Sequence, residues 1–588
     1  MGGNERRRQG TFRCRIGRQV IKDSIPRALL SSVGVVAVLA GVGAARTDGN
    51  AARFAVAQET ITDASIGVPQ TYPGQIALHA RGDTWYSTWG SRTYHGDIFA
   101  TSDDSTGFGG KCNSNVVVNE LAGAVPGALS LAHENCMISF GAKATKGDYG
   151  DGRSWKTDGI ISVSGTLYLF VSRQQNGSGG WPNGFQPSGN ASIIASSDGG
   201  RTWSNGFGVH GAANGAAPRL AKGPDGTRAI QATFRGSSFA TAQFISYGQD
   251  DGPASTADGG NKYVYAISTD GYVYDGSSMI LGRVPRSEIG KLAAADWQFY
   301  TGQPGGDGQS PADWSGNPGD AQPILTAAHQ LSESSVQYIP GLKQYVMTDS
   351  YYPFARSWGY SSNGGGVSQT TWVFYEAPHP WGPWTKFFTA PATECYFTCT
   401  PQTAGQLGLY APALVSKFTG MGGLTGVIFT SGDFSAHNQS RPDDPLLYML
   451  HAFPVTFGTS GQAIVDDAAA FPAGSTDWQV RYGAEGYFDA TTHGSDVPGD
   501  SASYTFTGTS ISWIGPKNND QGIANVSIDG GTPRPVDTYS RTQQTERVLF
   551  TASGLAPGQH AITIQVTARK SASSSGTRQE IDAFIISD

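Results

Sequence analysis

Three acidic residues at the starts of predicted strands are the residues best suited to do chemistry. Asp83 lies in GDTWYSTW, Asp158 opens DGIISV, and Glu333 lies in SESSVQYIP. Carboxyl groups that converge on one cleft can divide the work of glycoside hydrolysis between a general acid, a base or nucleophile, and a third group that tunes the other two. The competing explanation is that each acid only caps a turn, since Asp is common before a strand. We predict Asp83, Asp158 and Glu333 as catalytic residues.

Aromatic and cationic side chains accompany these acids. Trp85, Tyr86 and Trp155 are predicted to bind substrate, because the face of a sugar ring offers C–H groups to an aromatic ring. Arg173 and Arg219 are predicted to hold a hydroxyl or a carboxylate of the substrate. For any single Trp, packing in the protein core is the alternative.

The stretch around Asp158 indicates the elements that position these groups. Residues 159–163 and 166–172 are two β-rich runs joined by a Ser-Gly turn, residues 191–196 form a third, and a fourth begins at Trp203 after Asp-Gly-Gly. Four antiparallel strands in about fifty residues form one blade of a β-propeller. The pattern recurs about five times, which predicts a five-bladed propeller over residues 70–457.

A second motif marks the fold rather than the chemistry. Ser196, Asp198, Gly200, Thr202 and Trp203 form S-x-D-x-G-x-T-W, the Asp box of sialidase-like propellers. Its Asp is expected to bond local amides, and its Trp is expected to pack between blades. The motif is therefore predicted to be structural and to lie away from the central channel.

Composition and a change of pattern near residue 460 complete the fold prediction. The chain has 588 residues, with 80 Gly, 11% aromatic and only 15% charged residues, which favours turns and pleated sheets over helices. Residues 462–588 alternate apolar and polar positions between Gly, Asn and Pro turns, which is typical of a β-sandwich. The predicted fold class is all-β, a five-bladed β-propeller followed by a jelly-roll-like β-sandwich of the carbohydrate-binding type.

The N-terminus has the pattern of a targeting segment. Residues 1–57 hold eight Lys and Arg before the 18-residue, mainly apolar run 28–45, and small-residue sites follow at 43–45 and 55–57. We predict a cleaved signal peptide and a secreted protein, with a single membrane anchor as the alternative. The first 57 residues carry ten of the 40 Lys and Arg and three of the 47 Asp and Glu, so the remainder has 30 basic and 44 acidic residues. This acidic body argues against nucleic acid, and we expect a monomer with no membrane partner beyond the leader.

The cysteines fit export. Cys14 lies in the leader, and four remain, for which the simplest pairing is Cys112 with Cys136 and Cys395 with Cys399. A zinc site needs two close pairs, and the first pair is too far apart in sequence. No cofactor is predicted. Asp-rich channel mouths can hold Ca²⁺, but no motif supports a calcium site here.

Four segments together resemble a known family. They are GDTWYSTW from Gly82, DGIISVSGTLYLFVSRQ from Asp158, KYVYAISTDG from Lys262 and PHPWGPWTKFF from Pro378. Residues 70–457 are similar to secreted five-bladed propellers, formerly of unknown function, that include endo-D-arabinanases acting on mycobacterial cell-wall arabinan. The resemblance implies catalytic acids on inner strands at the channel mouth.

Two features qualify and extend this resemblance. The third blade departs from the pattern, because it is predicted to open with Ala217-Pro218-Arg219 and offers no acid; Glu333 of the fourth blade is taken instead. At the C-terminus, ISWIGPKNNDQGIANVSIDGG and GQHAITIQVTARK resemble galactose-binding-like sandwich modules that follow many secreted glycosidases.

The predicted function is a secreted glycoside hydrolase that acts on a cell-wall or plant polysaccharide, most simply as an endo-acting arabinanase. One alternative is a non-catalytic glycan-binding or adhesion protein. Another is a sialidase-like enzyme, for which one Asp box is present but no arginine triad with a Tyr-Glu pair can be assembled. The G-x-S-x-G and phosphate-binding G-x-x-x-x-G-K-[ST] motifs are absent from the sequence.

Overall fold

The described part of the chain folds mainly into β-strands joined by turns and single-turn 3₁₀ helices. Residues Ala57–Asp588 form one compact unit. In the part of the chain that the structure describes, no helix is long and apolar enough to cross a membrane. The computed structural model describes residues 60–67, 81–108, 112–142, 153–174, 187–205, 210–211, 220–222, 228–230, 232–252, 255–273, 276–332, 334–351, 370–392, 409–432, 449–471, 478–482, 486–488 and 491–587.

The strands up to residue 459 build successive antiparallel blades, as predicted. After an N-terminal strand β1 (Ile61–Ile66), blade I contains β2 (Arg81–Asp83), β3 (Ser87–Trp89), β4 (Ile98–Gly107), β5 (Val117–Ala122) and β6 (Ser130–Cys136), and blade II contains β7 (Ser154–Val163), β8 (Thr166–Gln174), β9 (Ser188–Ser196), β10 (Trp203–Asn205) and β11 (His210–Gly211). A separate pair, β12 (Leu220–Lys222) and β13 (Arg228–Ile230), precedes blade III, which contains β14 (Gln243–Ser246), β15 (Tyr263–Thr269), β16 (Gly276–Pro285), β17 (Gln298–Tyr300), β18 (Trp314–Ser315) and β19 (Leu325–Leu331). Blade IV contains β20 (Ser335–Ile339), β21 (Gln344–Tyr351), β22 (Thr371–Ala377) and β23 (Thr385–Pro391), and blade V contains β24 (Tyr410–Leu414), β25 (Thr425–Ser431) and β26 (Leu450–Thr459).

The first strand closes the ring. β1 pairs antiparallel with β26, with Ile61 opposite Thr459 and Ile66 opposite Val455, so the N-terminal strand completes blade V. The backbone N–H of Ile61 also donates to Glu376 of blade IV at 2.8 Å. The start and the end of the propeller are therefore held together by hydrogen bonds.

Five hydrophobic clusters each draw on two neighbouring blades, which identifies a closed ring of five among the described residues. Because each blade packs on both faces, its strands are nearly continuous apolar runs: β8 is buried from Leu167 to Gln174. Representative members are Phe99, Val118, Ile160 and Leu169 between blades I and II; Phe170, Ile193, Phe239 and Val264 between II and III; Ile245, Tyr265, Val336 and Met347 between III and IV; Val346, Phe374, Leu414 and Ile428 between IV and V; and Ile98, Leu121, Phe429 and Leu450 between V and I.

The innermost strands approach one another closely around the axis. The N–H of Gly159 in β7 donates to the carbonyl of Ala242 at 2.9 Å, joining blades II and III. Further round, β14 and β20 pair in parallel through Ile245 and Val336. The third blade therefore begins on the axis with β14, and the expectation that its strands start at residue 217 was wrong. β12 and β13 pair with each other instead.

The Asp box has the predicted structural role. Asp198 accepts hydrogen bonds from Thr202 Oγ1 at 2.6 Å and from the N–H groups of Arg201 and Thr202. Burial alone would raise the pKa of Asp198, but these bonds and one from Ser196 outweigh it, and the pKa is lowered. The Trp203 ring is buried and donates to Asn135 of blade I at 3.1 Å.

A single disulfide is present among the described residues. Cys112 and Cys136 are bonded, as predicted, and join the segment before β5 to the end of β6. Cys395 and Cys399 lie outside the described residues.

The C-terminal strands form the expected sandwich, and they continue the sheet of blade V. β26 turns directly into the next strand through Thr459 and Gln462, which pair across the turn. Apolar residues of the sandwich, Ile514 and Ile585, also join the cluster between blades IV and V. The elements are β27 (Gln462–Asp466), α1 (Asp467–Ala470), β28 (Gln479–Tyr482), β29 (Thr491–Ser495), β30 (Ser501–Lys517), β31 (Ile523–Ile528), β32 (Arg534–Asp537), β33 (Gln544–Val566), β34 (Gln579–Ile581) and β35 (Ala583–Ser587).

One acid lies in the contact between sandwich and propeller. Glu546 of β33 accepts a hydrogen bond from the Thr425 hydroxyl of blade V. Burial raises the pKa of Glu546 to about 7, because the charged carboxylate loses hydration; the bond from Thr425 offsets part of this effect.

Gly159→Ala tests the close approach of blades II and III. A Cβ at this position would lie 2.6 Å from the Phe244 nitrogen and 2.7 Å from the Gln243 Cα, and backbone atoms cannot move aside cheaply. We expect the free energy of unfolding to fall by about 1–3 kcal/mol, measured by urea denaturation. Gly316→Ala is the control, because a Cβ there meets no atom within 4 Å. Equal stability of the two variants would contradict the tight inner ring.

Glu546→Gln tests the buried carboxyl. The folded-state pKa is raised from 4.5 to about 7, so the stability contribution present below pH 4.5 is lost as the pH rises through 7. The glutamine side chain cannot ionise. The melting temperature of the variant minus that of the parent should therefore be more positive at pH 7.5 than at pH 5. Glu288→Gln, on the surface beside Lys291, should not gain stability in this way. A pH-independent difference between Glu546→Gln and the parent would refute the assignment.

Candidate active site

Asp83 lies where the innermost chain of blade I changes course. β2 ends at Asp83, and Thr84 then adopts a left-handed backbone with φ 55° before β3 begins. Such a conformation is unfavourable for a β-branched residue, and backbone strain of this kind concentrates at functional sites. Two hydrogen bonds stabilise this backbone conformation. The Thr101 hydroxyl donates to the Thr84 carbonyl at 2.6 Å, and the Ser431 hydroxyl accepts from the Thr84 N–H at 2.8 Å.

The carboxylate of Asp83 is held by a residue of blade V. The Tyr410 hydroxyl donates to Asp83 Oδ2 at 2.7 Å, and both side chains are buried. Ala411, the next residue, also has a left-handed backbone, with φ 51°. A donated hydrogen bond favours the ionised form of a carboxyl group.

Asp158 lies on the adjacent inner strand at the same height. The Thr84 and Thr157 hydroxyls are 3.0 Å apart, so Asp83 and Asp158 each directly adjoin one member of this contact. The regular pairing of β7 with β8 is interrupted between Thr157 and Ile160, which gives Asp158 a position outside the ladder. Asp158 is fully buried, with Gln174 Nε2 at 3.5 Å from its Oδ1.

A buried ion pair accompanies the two acids, and sequence reasoning missed it. Asp103 of β4 is the cross-strand partner of Asp83, so both side chains lie on one face of the sheet. Lys156, two residues before Asp158, approaches Asp103 Oδ1 with its Nζ at 3.4 Å, and both side chains are almost fully buried. The available signal was a lysine in WKTDGII, a strand otherwise apolar enough to be buried.

A further buried carboxyl on blade IV was also missed. Burial raises the pKa of Asp349 in β21 to about 6, although hydrogen bonds from Ser332, Ser334 and Ser350 act in the opposite direction. The predicted acid Glu333 lies outside the described residues, between two of these serines in the chain. Asp349 accepts hydrogen bonds from the backbone N–H and the hydroxyl of Ser332, the residue before position 333.

These residues are linked in a continuous series around the axis. The Ser350 hydroxyl accepts from the Ala411 N–H at 3.0 Å, which connects blade IV to blade V. Tyr410 then reaches Asp83 of blade I, and Thr84 reaches Thr157 of blade II. Asp83 and Asp158 therefore lie on neighbouring inner strands that are joined by the contact between Thr84 and Thr157, and Asp103 and Lys156 form an ion pair between the same two blades.

The residues predicted to stack on substrate have packing roles instead. Trp85 is fully buried, lies edge-on to Phe108 at 5.7 Å between ring centroids, and donates to the Gly82 carbonyl. Trp155 is also fully buried. Because each ring is enclosed between two blades, neither can lie against a sugar without opening the core.

The remaining residues predicted to bind substrate are Arg173, Tyr86 and Arg219, and the two that the structure describes are buried. Arg173 is fully buried, with its guanidinium carbon 5.1 Å from the Trp155 ring centroid, and it donates to the Arg153 carbonyl. Tyr86 is buried as well. Arg219 lies outside the described residues.

No metal centre is evident in the described part of the chain. None of its His, Cys, Asp and Glu side chains form a group of three or more suited to hold an ion. Lys156 is a buried positive charge two residues before Asp158 in the chain.

The chain belongs to the DUF4185 family, described as a domain of unknown function, whose sequence profile matches residues 57–417. A curated relative, the A type blood N-acetyl-α-D-galactosamine deacetylase of Flavonifractor plautii, is 35% identical over 78 residues, which is 13% of this chain. This chain covers only 10% of that relative's length.

Solved structures with a similar course of the chain include three carbohydrate-active enzymes. They are an exo-β-1,3-galactanase of Phanerochaete chrysosporium bound to galactose (TM-score 0.29, 11% identity, 90% of this chain and 99% of that one), the catalytic domain of an α-L-arabinofuranosidase of Coprinopsis cinerea (0.32, 11%, 68% and 98%) and a xylan β-1,4-xylosidase of Bacillus halodurans (0.32, 8%, 87% and 99%). At these TM-scores no activity is transferred, and the fold rests on the strand pairing above.

Lys156→Met tests whether the ion pair is a structural requirement of the site. The variant removes a buried cation that lies 3.4 Å from Asp103 Oδ1, so we expect the free energy of unfolding to fall by about 3 kcal/mol. Lys291→Met removes a lysine from an exposed pair with Glu288 and should leave the urea midpoint unchanged. The double variant Lys156→Met/Asp103→Asn should recover part of the loss; no recovery would contradict direct coupling.

Proposed function

We propose that this member of the DUF4185 family is a glycoside hydrolase whose catalytic carboxyl groups are Asp83 and Asp158. The observation that supports the proposal is the contact between Thr84 and Thr157, because each of these threonines adjoins one of the two aspartates in the chain and the contact joins neighbouring inner strands. Two carboxyl groups across a glycosidic bond are the usual requirement of glycoside hydrolysis.

The two aspartates receive different roles in this proposal. Tyr410 donates to Asp83, which favours the ionised form and suits a base or nucleophile. Asp158 is then assigned as the general acid that protonates the leaving oxygen. Lys156 and Asp103 keep the local charge balanced, because the lysine compensates one of the carboxylates.

The proposed substrate is a furanosidic wall polysaccharide, cleaved within the chain. The sequence similarity of residues 70–457 to propellers that include endo-D-arabinanases supports this choice, and the leader-like N-terminus supports an extracellular site of action. Glu333 remains the proposed third acid, with Asp349 as a positioning residue that holds the backbone beside it.

The test is product release from arabinans, arabinogalactans and xylans by the purified protein. We expect oligosaccharides from one polymer and a fall in turnover of about 100-fold or more for Asp83→Asn and Asp158→Asn, the usual range for loss of a general acid or base. Asp198→Asn is the matched control, because the same substitution is made in the same propeller at a purely structural acid.

Two results would overturn the proposal. Turnover that survives in both Asp83→Asn and Asp158→Asn would remove the site. Binding of a polymer without any product from the parent protein would favour the non-catalytic glycan-binding alternative.

A further inference from the structure

A large cavity lies at the other end of the propeller, against the sandwich. Its volume is about 1240 Å³, and it is lined by residues that follow the inner strands β3 and β24 and by the sandwich residues 486–488 and 542–547. Trp89 at its wall is six residues beyond Asp83 along the same inner chain, which places the cavity up to about 20 Å from the acids. Ligand sites of proteins commonly have volumes of 300–1,000 Å³, so this space accommodates an oligosaccharide.

The cavity contains a carboxylate that the protein does not satisfy. Asp97, after the turn that follows β3, is 7% exposed and lines the cavity, and its side chain receives no hydrogen bond from any described residue. Burial raises the pKa of Asp97, Glu120 acts in the same direction, and Lys417 opposes them. Because Asp97 faces the cavity and accepts no hydrogen bond from a described residue, its carboxylate is available as an acceptor for a ligand hydroxyl.

A cation of complementary character lies on the same lining. Lys417, after β24, makes no ion pair within 4.0 Å of its Nζ among the described residues, although the charge of Asp97 influences it. Burial lowers the pKa of Lys417. Asp97 and Lys417 therefore form no direct ion pair with each other, so the cavity wall offers one acceptor and one donor to a ligand.

Aromatic rings complete the lining. Trp89 is fixed by a hydrogen bond from its Nε1 to the Gly96 carbonyl at 3.0 Å, and Phe418 adjoins Lys417 in the chain. Tyr487 and Phe488 contribute rings from the sandwich side. Rings beside polar groups match a sugar, whose C–H faces pack on aromatics while its hydroxyls donate and accept.

We propose that this junction cavity is a second glycan-binding site that takes a neutral oligosaccharide. The lining places an acid, Asp97, among the cations Arg92, Lys417 and Arg547, so an anionic glycan would meet a carboxylate there. Propeller and sandwich each supply part of the wall, so binding would need both. The inference does not require Asp83 or Asp158 to be catalytic.

The experiment is calorimetric titration of the full chain with neutral arabino-, xylo- and galacto-tetraose, in an Asp158→Asn background so that no probe is consumed. We expect one probe to bind, and Lys417→Met or Trp89→Ala added to this background to weaken binding at least tenfold. Lys291→Met, an exposed lysine of blade III, is the matched control and should bind as the background protein does. Circular dichroism and melting curves confirm that each variant is folded.

Several results would overturn the inference. They are no binding of any neutral probe, binding that is unaffected by both Lys417→Met and Trp89→Ala, and binding of tetragalacturonate alone. Adding Asp83→Asn to the background should leave the Lys417-dependent binding in place, which separates this cavity from the channel. Product release by the parent protein, measured independently, decides the proposed hydrolase activity whatever the titrations show.

Discussion

The close packing of inner strands around the propeller axis is the constraint on which the rest of the structure depends. Gly159 lies against the backbone of residues 242–244, and the hydroxyls of Thr84 and Thr157 meet at 3.0 Å. Side chains on these strands have no room to withdraw, so polar groups placed there must find partners within the protein or in a bound molecule. The acids on these strands are buried because the strands pack this closely.

The polar groups at the two ends of the inner strands are held in different ways. At one end, Asp83 and Asp158 lie among partners contributed by several blades, and strained residues such as Thr84 are held by hydrogen bonds. At the other end, the inner strands end beneath the sandwich. There Asp97 and Lys417 line the junction cavity without forming an ion pair with each other. The sandwich is joined to blade V by a continuous sheet, so its position at this end is fixed by backbone pairing as well as by side chains.

Local patterns in the sequence predicted local structure well. The Asp box, the pairing of Cys112 with Cys136 and the order of blade and sandwich strands all depend on short-range turns and alternation, and the structure confirms them. Long-range neighbours could not be predicted in this way. Asp103 joins Asp83 only through the register of β2 with β4, and Lys156 becomes its partner only when blades I and II meet. Trp85 and Trp155 were assigned to substrate because they adjoin the acids, but a blade buries both of its faces, so proximity in sequence does not distinguish a wall of the site from the core between blades.

The most direct test of the account is a crystal structure of the Asp158→Asn variant with a bound oligosaccharide of the polymer that the parent protein cleaves. The account predicts a sugar chain in the central channel, with a glycosidic oxygen within hydrogen-bonding distance of the residue 158 side chain and with Asp83 on the far side of the anomeric carbon. Saccharide in the junction cavity alone, with none beside Asp83 and residue 158, would contradict it.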